Sequence, residues 1–447
     1  MSMRNLSIAG AVVAAFCGGT AFAAVPYGPF NTSLTISGSS AFRDSATNLV
    51  KTRICGTAAN TYEFRATGTP TPDLRAFVCH TPATNTPLPN QDVVVYYRSE
   101  LGSITGVAPI QNNKNIKRLA VAAASCGATP TIGAVTNCTV TNWDTNTDGP
   151  TATGVEAAPV ELGVSDLEPG IFTGSGSNGN YPSNAQQIAF LGADPKGSTT
   201  NFASINPLAY QTFRFVVNSG LGANAANLSK QSLTSIFNGI YGNWNQVPKA
   251  DGSGFVSAGS VPIRICQRDQ GSGTRASHGI FLGFSKVCGS ASYALGSTFH
   301  ATQCNATTGE CSSTGQELAC VSGNAGAIGY TVNQGFNAPA GTSYVAIDGT
   351  SPGTSVAAPN DLAAAGSYAY YYAASFNYSN ALNGNAAKKS IADTILADLQ
   401  DSTQLPVSSA SLMALPDFNA AVVPVSGTQP VALGSKANSC FEAQNFN

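Results

Sequence analysis

Short apolar runs rich in β-branched residues alternate along the chain with segments of helical period and with long stretches of Ser, Thr, Asn, Gly and Pro. The runs at 34–36, 93–97, 188–191, 213–217 and 261–266 predict buried strands, because a strand covered on both faces reads as a continuous apolar run. Leu233, Ile236, Phe237, Ile240 and Tyr241 recur at helical spacing behind a candidate N-cap, Ser229, with Gly239 and Gly242 closing the segment. Ile391, Ile395 and Leu399 make a second helical stripe near the end of the chain. The stretches 56–90, 111–158, 173–186 and 290–322 have the chemistry of surface loops. No internal repeat is present. This alternation predicts an α/β fold.

Composition narrows the function classes. Of 447 residues, 43% are hydrophobic and only 10% charged, so disorder driven by charge is excluded. A net charge of -2 without a Lys/Arg-rich run lacks the phosphate-neutralising footprint of nucleic-acid binders, and no nucleic-acid partner is expected. Residues 1–23 read as a signal peptide: Arg4, an apolar run over 6–16, then Ala21-Phe22-Ala23 as a small-x-small cleavage site. An exported protein, periplasmic or secreted, follows. Phe16 before Cys17 argues against a lipid-anchored cysteine. The remaining chain exceeds the usual size of one core and suggests two lobes.

Cleavage after Ala23 removes Cys17 and leaves an even number of cysteines in a compartment where disulfides persist. Closeness in sequence favours Cys55 with Cys79, Cys126 with Cys138, and Cys304 with Cys311. His80, His278 and His300 are scattered and zinc-type cysteine pairs are lacking, so neither a metal nor a cofactor is expected.

The segment Arg268-Asp269-Gln270-Gly271-Ser272-Gly273-Thr274-Arg275 follows one predicted strand and precedes a helix through Ile280 and Phe284. Such a turn presents free backbone N–H groups at the positive end of a helix. Ser272 and Thr274 add hydroxyl donors, and the Arg268 guanidinium matches two oxygens of a tetrahedral oxyanion. Ser37-Gly38-Ser39-Ser40-Ala41-Phe42 makes a second small-residue cradle after a strand. Gly102-Ser103-Ile104-Thr105-Gly106-Val107 and Gly163-Val164-Ser165-Asp166 are further loops at strand ends, where ligands bind in open α/β sheets.

In this order, these segments resemble the phosphate-binding proteins of phosphate ABC importers, a family of type II periplasmic binding proteins. The matching stretches are 39–42, 102–107, 163–166 and 268–274. Ser235-Ile236-Phe237-Asn238-Gly239 with Trp244, Gly326-Ala327-Ile328-Gly329-Tyr330 and Ala414-Leu415-Pro416 support the likeness. The resemblance implies a two-lobed α/β fold with the ligand cleft between the lobes. It implies that inorganic phosphate is held by Ser40, Ala41, Phe42, Ser103, Asp166, Arg268, Ser272, Gly273 and Thr274, with Phe42 giving a backbone N–H. It also implies a monomer that captures phosphate without a chemical step and delivers it to an ABC permease of the inner membrane. The lobes expected are 24–212 with the return segment 366–447, and 213–365. The chain departs from the family at Ala41, where a hydroxyl residue usually stands, and in insertions at 111–158 and 290–322.

Other readings attach to the same residues. Asp166 could form an Asx turn, and Arg275 a solvated or lobe-contact cation. His278 reads as a helix-surface residue, and Gly174-Ser175-Gly176-Ser177-Asn178-Gly179 as a loop without a preceding strand. The aromatic run Tyr368, Tyr370, Tyr371, Tyr372 and Phe376 reads as buried strand positions. Rival functions are a phosphatase-like enzyme using the same cradle, and a secreted structural or adhesive protein with another ligand.

Overall fold

The structure, a computed structural model, describes residues 26–85, 88–174, 180–194, 200–205, 208–283, 310–335, 337–355, 361–364, 367–400 and 412–413. The signal segment 1–23, Cys304, His300, most of 174–179 and Ala414-Leu415-Pro416 lie outside the described residues.

Strands in chain order are β1 (Thr32–Gly38), β2 (Tyr62–Thr67), β3 (Leu74–His80), β4 (Asp92–Arg98), β5 (Asn115–Leu119), β6 (Val135–Thr139), β7 (Val155–Pro159), β8 (Leu162–Ser165), β9 (Phe202–Ile205) and β10 (Tyr210–Asn218). Then follow β11 (Asn227–Leu228), β12 (Arg264–Ile265), β13 (Gln267–Arg268), β14 (Glu310–Cys311), β15 (Ala327–Val332), β16 (Thr342–Ile347), β17 (Tyr371–Ala373), β18 (Ser375–Ser379) and β19 (Leu412–Met413). The helices are α1 (Arg43–Leu49), α2 (Ala108–Gln111), α3 (Ala123–Cys126), α4 (Ala185–Leu191), α5 (Lys230–Phe237), α6 (Gly273–Leu282), α7 (Thr314–Gly323), α8 (Asp361–Ala364) and α9 (Ala386–Gln400).

The expected α/β class is what the chain forms, built on two large sheets. The first runs β6-β2-β3-β4-β1-β8-β18-β9, and the second β11-β16-β10-β15-β12. At the centre of the first, β1 lies parallel to both β4 and β8, with Ile36 opposite Tyr97 on one side and Leu162 on the other. These three strands are buried along nearly all their length, as their apolar runs require. β10 serves two groups of partners: residues 213–218 pair with β15 and β16, while Tyr210–Thr212 pair with β17. The aromatic run is buried here, with Tyr370 stacked on Phe281 and close to Phe213 and Phe215.

One apolar cluster, including Leu34, Ile36, Phe42, Val95, Val164, Phe376, Ile391 and Leu399, packs α1 and α9 on the first sheet. A larger one joins Leu101, Ile104 and Val107 with Phe213, Phe215, Phe237, Trp244 and Tyr330, so apolar packing is continuous from the first sheet to the second.

Several local expectations are corrected. Residues 188–191 belong to helix α4, capped by Asn184, whose side chain accepts from Gln186 N; a four-residue apolar run alone does not distinguish strand from helix. The stretches 56–90 and 111–158 are not simply surface loops. They contain β2 and β3, which sit within the first sheet, and β6, which pairs with β2 in parallel at its edge. The stripe behind Ser229 ends at Phe237, and Ile240 is 67% exposed. The run 261–266 is strand only at Arg264–Ile265. Cys55–Cys79 and Cys126–Cys138 are bonded as expected, and a third disulfide, Cys266–Cys320, joins the approach to β13 to α7.

Candidate functional site

Four loops meet where β1, β4 and β8 end. Their approach is permitted by glycine. A Cβ on Gly38, whose φ is +132°, would lie 1.9 Å from Val164 O, and one on Gly163 would lie 1.8 Å from Gly106 O. Backbones from three segments therefore touch directly, and their following residues converge.

At the centre is Asp166, buried at 3% exposure. Its Oδ1 accepts from the Ser39 hydroxyl, and its Oδ2 accepts from Thr274 Oγ1 at 3.1 Å. Its backbone N–H donates to Ser103 Oγ at 3.0 Å. Burial raises the Asp166 carboxyl above its ordinary value, opposed by the hydroxyl of Ser39 and the charge of Arg268. The turn here is made by Ser165, whose Oγ accepts from Leu167 N, and not by an Asx turn of Asp166.

The Ser39 hydroxyl is a junction. Its oxygen accepts from Ala41 N at 3.0 Å and Phe42 N at 3.3 Å, while its proton goes to Asp166. The Phe42 N–H expected to meet an anion thus meets Ser39 Oγ in this structure. Tyr97 Oη fixes the turn by donating to Ser39 O at 2.7 Å.

The other side comes from β13, α6 and α7. Arg268 is 1% exposed; its Nε donates to Cys311 O at 3.1 Å and its Nη1 to Thr314 Oγ1 at 3.2 Å. Ser272 caps α6, its Oγ accepting from Arg275 N at 3.3 Å. The first N–H groups of α6, at Gly273 and Thr274, have no partner within the helix by its geometry. Gly273 presses on the first sheet: a Cβ there would lie 2.4 Å from Ser103 Oγ and 2.6 Å from Asp166 Cβ. Ile104 N donates to Gly271 O at 3.0 Å, a backbone bond across the same junction.

Ser40, Ala41, Phe42, Ser103, Asp166, Arg268, Ser272, Gly273 and Thr274 are therefore brought to one place. Thr314 was not expected there, because 290–322 reads as loop. It pairs with Ser40, Oγ to Oγ1 at 2.9 Å, as well as with Arg268. The signal that finds it is Ser313-x-x-Gln316 before an apolar run, a helix-start pattern realised when Ser313 Oγ accepts from Gln316 N.

Two side chains depart from their expected surface roles. His278 is fully buried, stacked on Tyr330 at 4.0 Å and edge-on to Phe237, and burial holds its imidazole well below its ordinary pKa. Arg275 braces the loop from within, donating to Arg268 O at 2.9 Å and pairing with Glu310 at 2.5 Å. The supporting segments act from behind: Tyr330 Oη accepts from Arg268 N at 3.2 Å, and Trp244 Nε1 donates to Gly326 O at 2.9 Å.

Glu317, on α7 one turn beyond Thr314, is fully buried with Oε1 accepting from Tyr330 N at 2.9 Å. Burial pushes its carboxyl up to about 8, against the lowering effect of Arg268 and the Tyr330 N–H. The folded value exceeds the unfolded one, so the group's contribution to stability is complete below the unfolded pKa and is lost as pH rises through about 8. Glu317→Gln should melt with the wild type at about pH 5 and a few degrees above it at about pH 9, because an unfolding entropy of about 2 cal/mol/K per residue makes ~1 kcal/mol worth about 1 °C in a chain of 447 residues. Thermal unfolding without ligand checks this, and a wild-type advantage at the higher pH contradicts it.

No family model and no curated protein matches the chain. Among solved structures it is similar to a phosphate-binding protein from Stenotrophomonas maltophilia, at 15% identity and TM-score 0.41, over 86% of this chain and 91% of that one. It is also similar to a possible phosphate binding protein from Planctomyces limnophilus, at 12% identity and TM-score 0.33, over 86% and 93%. A Corynebacterium glutamicum OxyR C206 mutant aligns at 8% identity and TM-score 0.33, over 87% and 71%.

Proposed function

We propose that the chain is an extracytoplasmic solute-binding protein that captures inorganic phosphate between two lobes. The lobes are 24–212 with 366–447, and 213–365, joined where β10 runs beside β17. Binding involves no chemical step, the chain acts as a monomer, and an ABC permease in the inner membrane receives the ligand.

The hydroxyl of Ser39 is the observation that carries this reading. One oxygen accepts from two backbone N–H groups and donates its O–H to a buried carboxylate. A protonated oxygen of phosphate has the same demands: it accepts through its lone pairs and donates its O–H. Sulfate has no proton at neutral pH, so facing Asp166 it meets charge against charge. Arg268, Thr274 and the N-terminal turn of α6 supply the remaining donors, and the Arg268 cation offsets the buried negative charge.

Titration calorimetry of the mature protein with phosphate, and with sulfate at the same pH, tests the reading. A phosphate Kd of about 1 µM or tighter with sulfate silent is the expected result. Binding of neither anion overturns it and turns attention to another ligand. Release of phosphate from a chromogenic ester, lost in Arg268→Ala, would instead favour the phosphatase-like rival.

A further inference from the structure

We propose that Thr314 is a specificity and closure residue of this cleft: its hydroxyl ties Arg268 to Ser40 and leaves the Ser40 proton to the anion. The inference rests on the phosphate reading above.

Three neighbouring residues form a collar on Arg268. Nε donates to Cys311 O, Nη1 to Thr314 Oγ1, and Nη2 to Ser312 O at 3.5 Å. The disulfide Cys266–Cys320 holds α7 to the strand segment that leads into Arg268, so collar and guanidinium move together. A guanidinium only donates, which makes the Thr314 oxygen an acceptor in its bond to Nη1. A hydroxyl polarised by a cationic donor gives up its own proton more strongly, and the partner in reach is Ser40 Oγ at 2.9 Å. Ser40 Oγ also lies 3.5 Å from Thr314 N as an acceptor. The Ser40 hydroxyl thus accepts from the Thr314 side and keeps its proton for another oxygen.

That proton matters because of what surrounds it. Ala41 has no hydroxyl, and the Ser39 proton is directed to Asp166. Ser40 is the remaining side-chain donor of the 39–42 loop. Its bond to Thr314 spans 274 positions of sequence, from the end of β1 to the start of α7. The pair exists only when the two sides of the cleft meet, so it makes closure and donation one event.

The test is phosphate calorimetry on the full mature chain and on its Ser40→Ala, Thr314→Val, Thr314→Ser and Ser40→Ala/Thr314→Val variants, with thermal unfolding of each without ligand. About tenfold weaker binding is expected in Ser40→Ala and Thr314→Val. Thr314→Ser should bind as the wild type, the double variant no worse than the weaker single one, and all should melt together. Wild-type affinity in Thr314→Val, or losses that add in the double variant, overturns the role of Thr314 and leaves the phosphate reading standing. A Thr314→Val loss that Ser does not rescue and that comes with a lower melting temperature assigns a merely structural role and also overturns it. A wild-type chain that binds no phosphate overturns the parent reading and this one with it.

Discussion

Gly273→Ala should bind phosphate about 10- to 100-fold more weakly than the wild type while unfolding at the same or a higher temperature. The two effects have separate origins. Position 273 opens α6, where alanine suits a helix at least as well as glycine. The added methyl instead enters the space between the two sheets, 2.4 Å from Ser103 Oγ and 2.6 Å from Asp166 Cβ. Overpacking of this kind costs about 1–3 kcal/mol, and under the proposed closure of the lobes around the ligand that cost falls on binding. Calorimetry beside a thermal melt separates the terms. Wild-type affinity in Gly273→Ala would mean that this tight contact is not the ligand-holding arrangement.

Asp166→Asn should abolish the preference for phosphate over sulfate. The carboxylate accepts from two hydroxyls here and would accept from a protonated phosphate oxygen, whereas the amide keeps one acceptor oxygen and adds N–H donors. Loss of one charge-assisted bond costs about 1.5–3 kcal/mol, or roughly 10- to 100-fold in phosphate affinity. Sulfate should gain, because the repelling charge is gone. The same change should stabilise the ligand-free protein at neutral pH. Burial raises the Asp166 pKa in the folded state, so its contribution is present below the unfolded value and is lost as pH climbs through the folded one. Competition titrations that show undiminished rejection of sulfate would remove Asp166 from the mechanism.

β1 and β4, which end at the site, and the central β10 were legible because they are buried along nearly all their length: 34–36, 93–97 and 213–217 lie within them. The small-residue loops after them were legible through their chemistry, and the structure brings them together. β2 and β3 were not, because Glu63, Arg65 and Arg75 interrupt their apolar pattern, and those charges pair with one another and with Lys51, Asp44 and Asp73 instead of marking a loop. β6, with the sequence VTNCT, has only its cysteine fully buried and carries no periodic signal. His278 looked like a surface residue because periodicity cannot show that Tyr330 and Phe237 cover it from other elements. Thr314 was hidden in a polar stretch whose one ordered clue was a capping pattern.

The placement of β18 between β8 and β9 sets an order of assembly. β9 pairs with β18 alone among the described strands, so residues 202–205 have no sheet partner until 375–379 have been made. The strands β10, β11, β12, β15 and β16 all lie between 210 and 347 and can pair before that. A chain emerging from its N-terminus can therefore pair these five strands of the second sheet before β17 joins β10 and before β18 closes the first sheet. Shortening the chain before residue 375 would strand β9 and leave β8 with one exposed edge, the kind of surface on which aggregation begins.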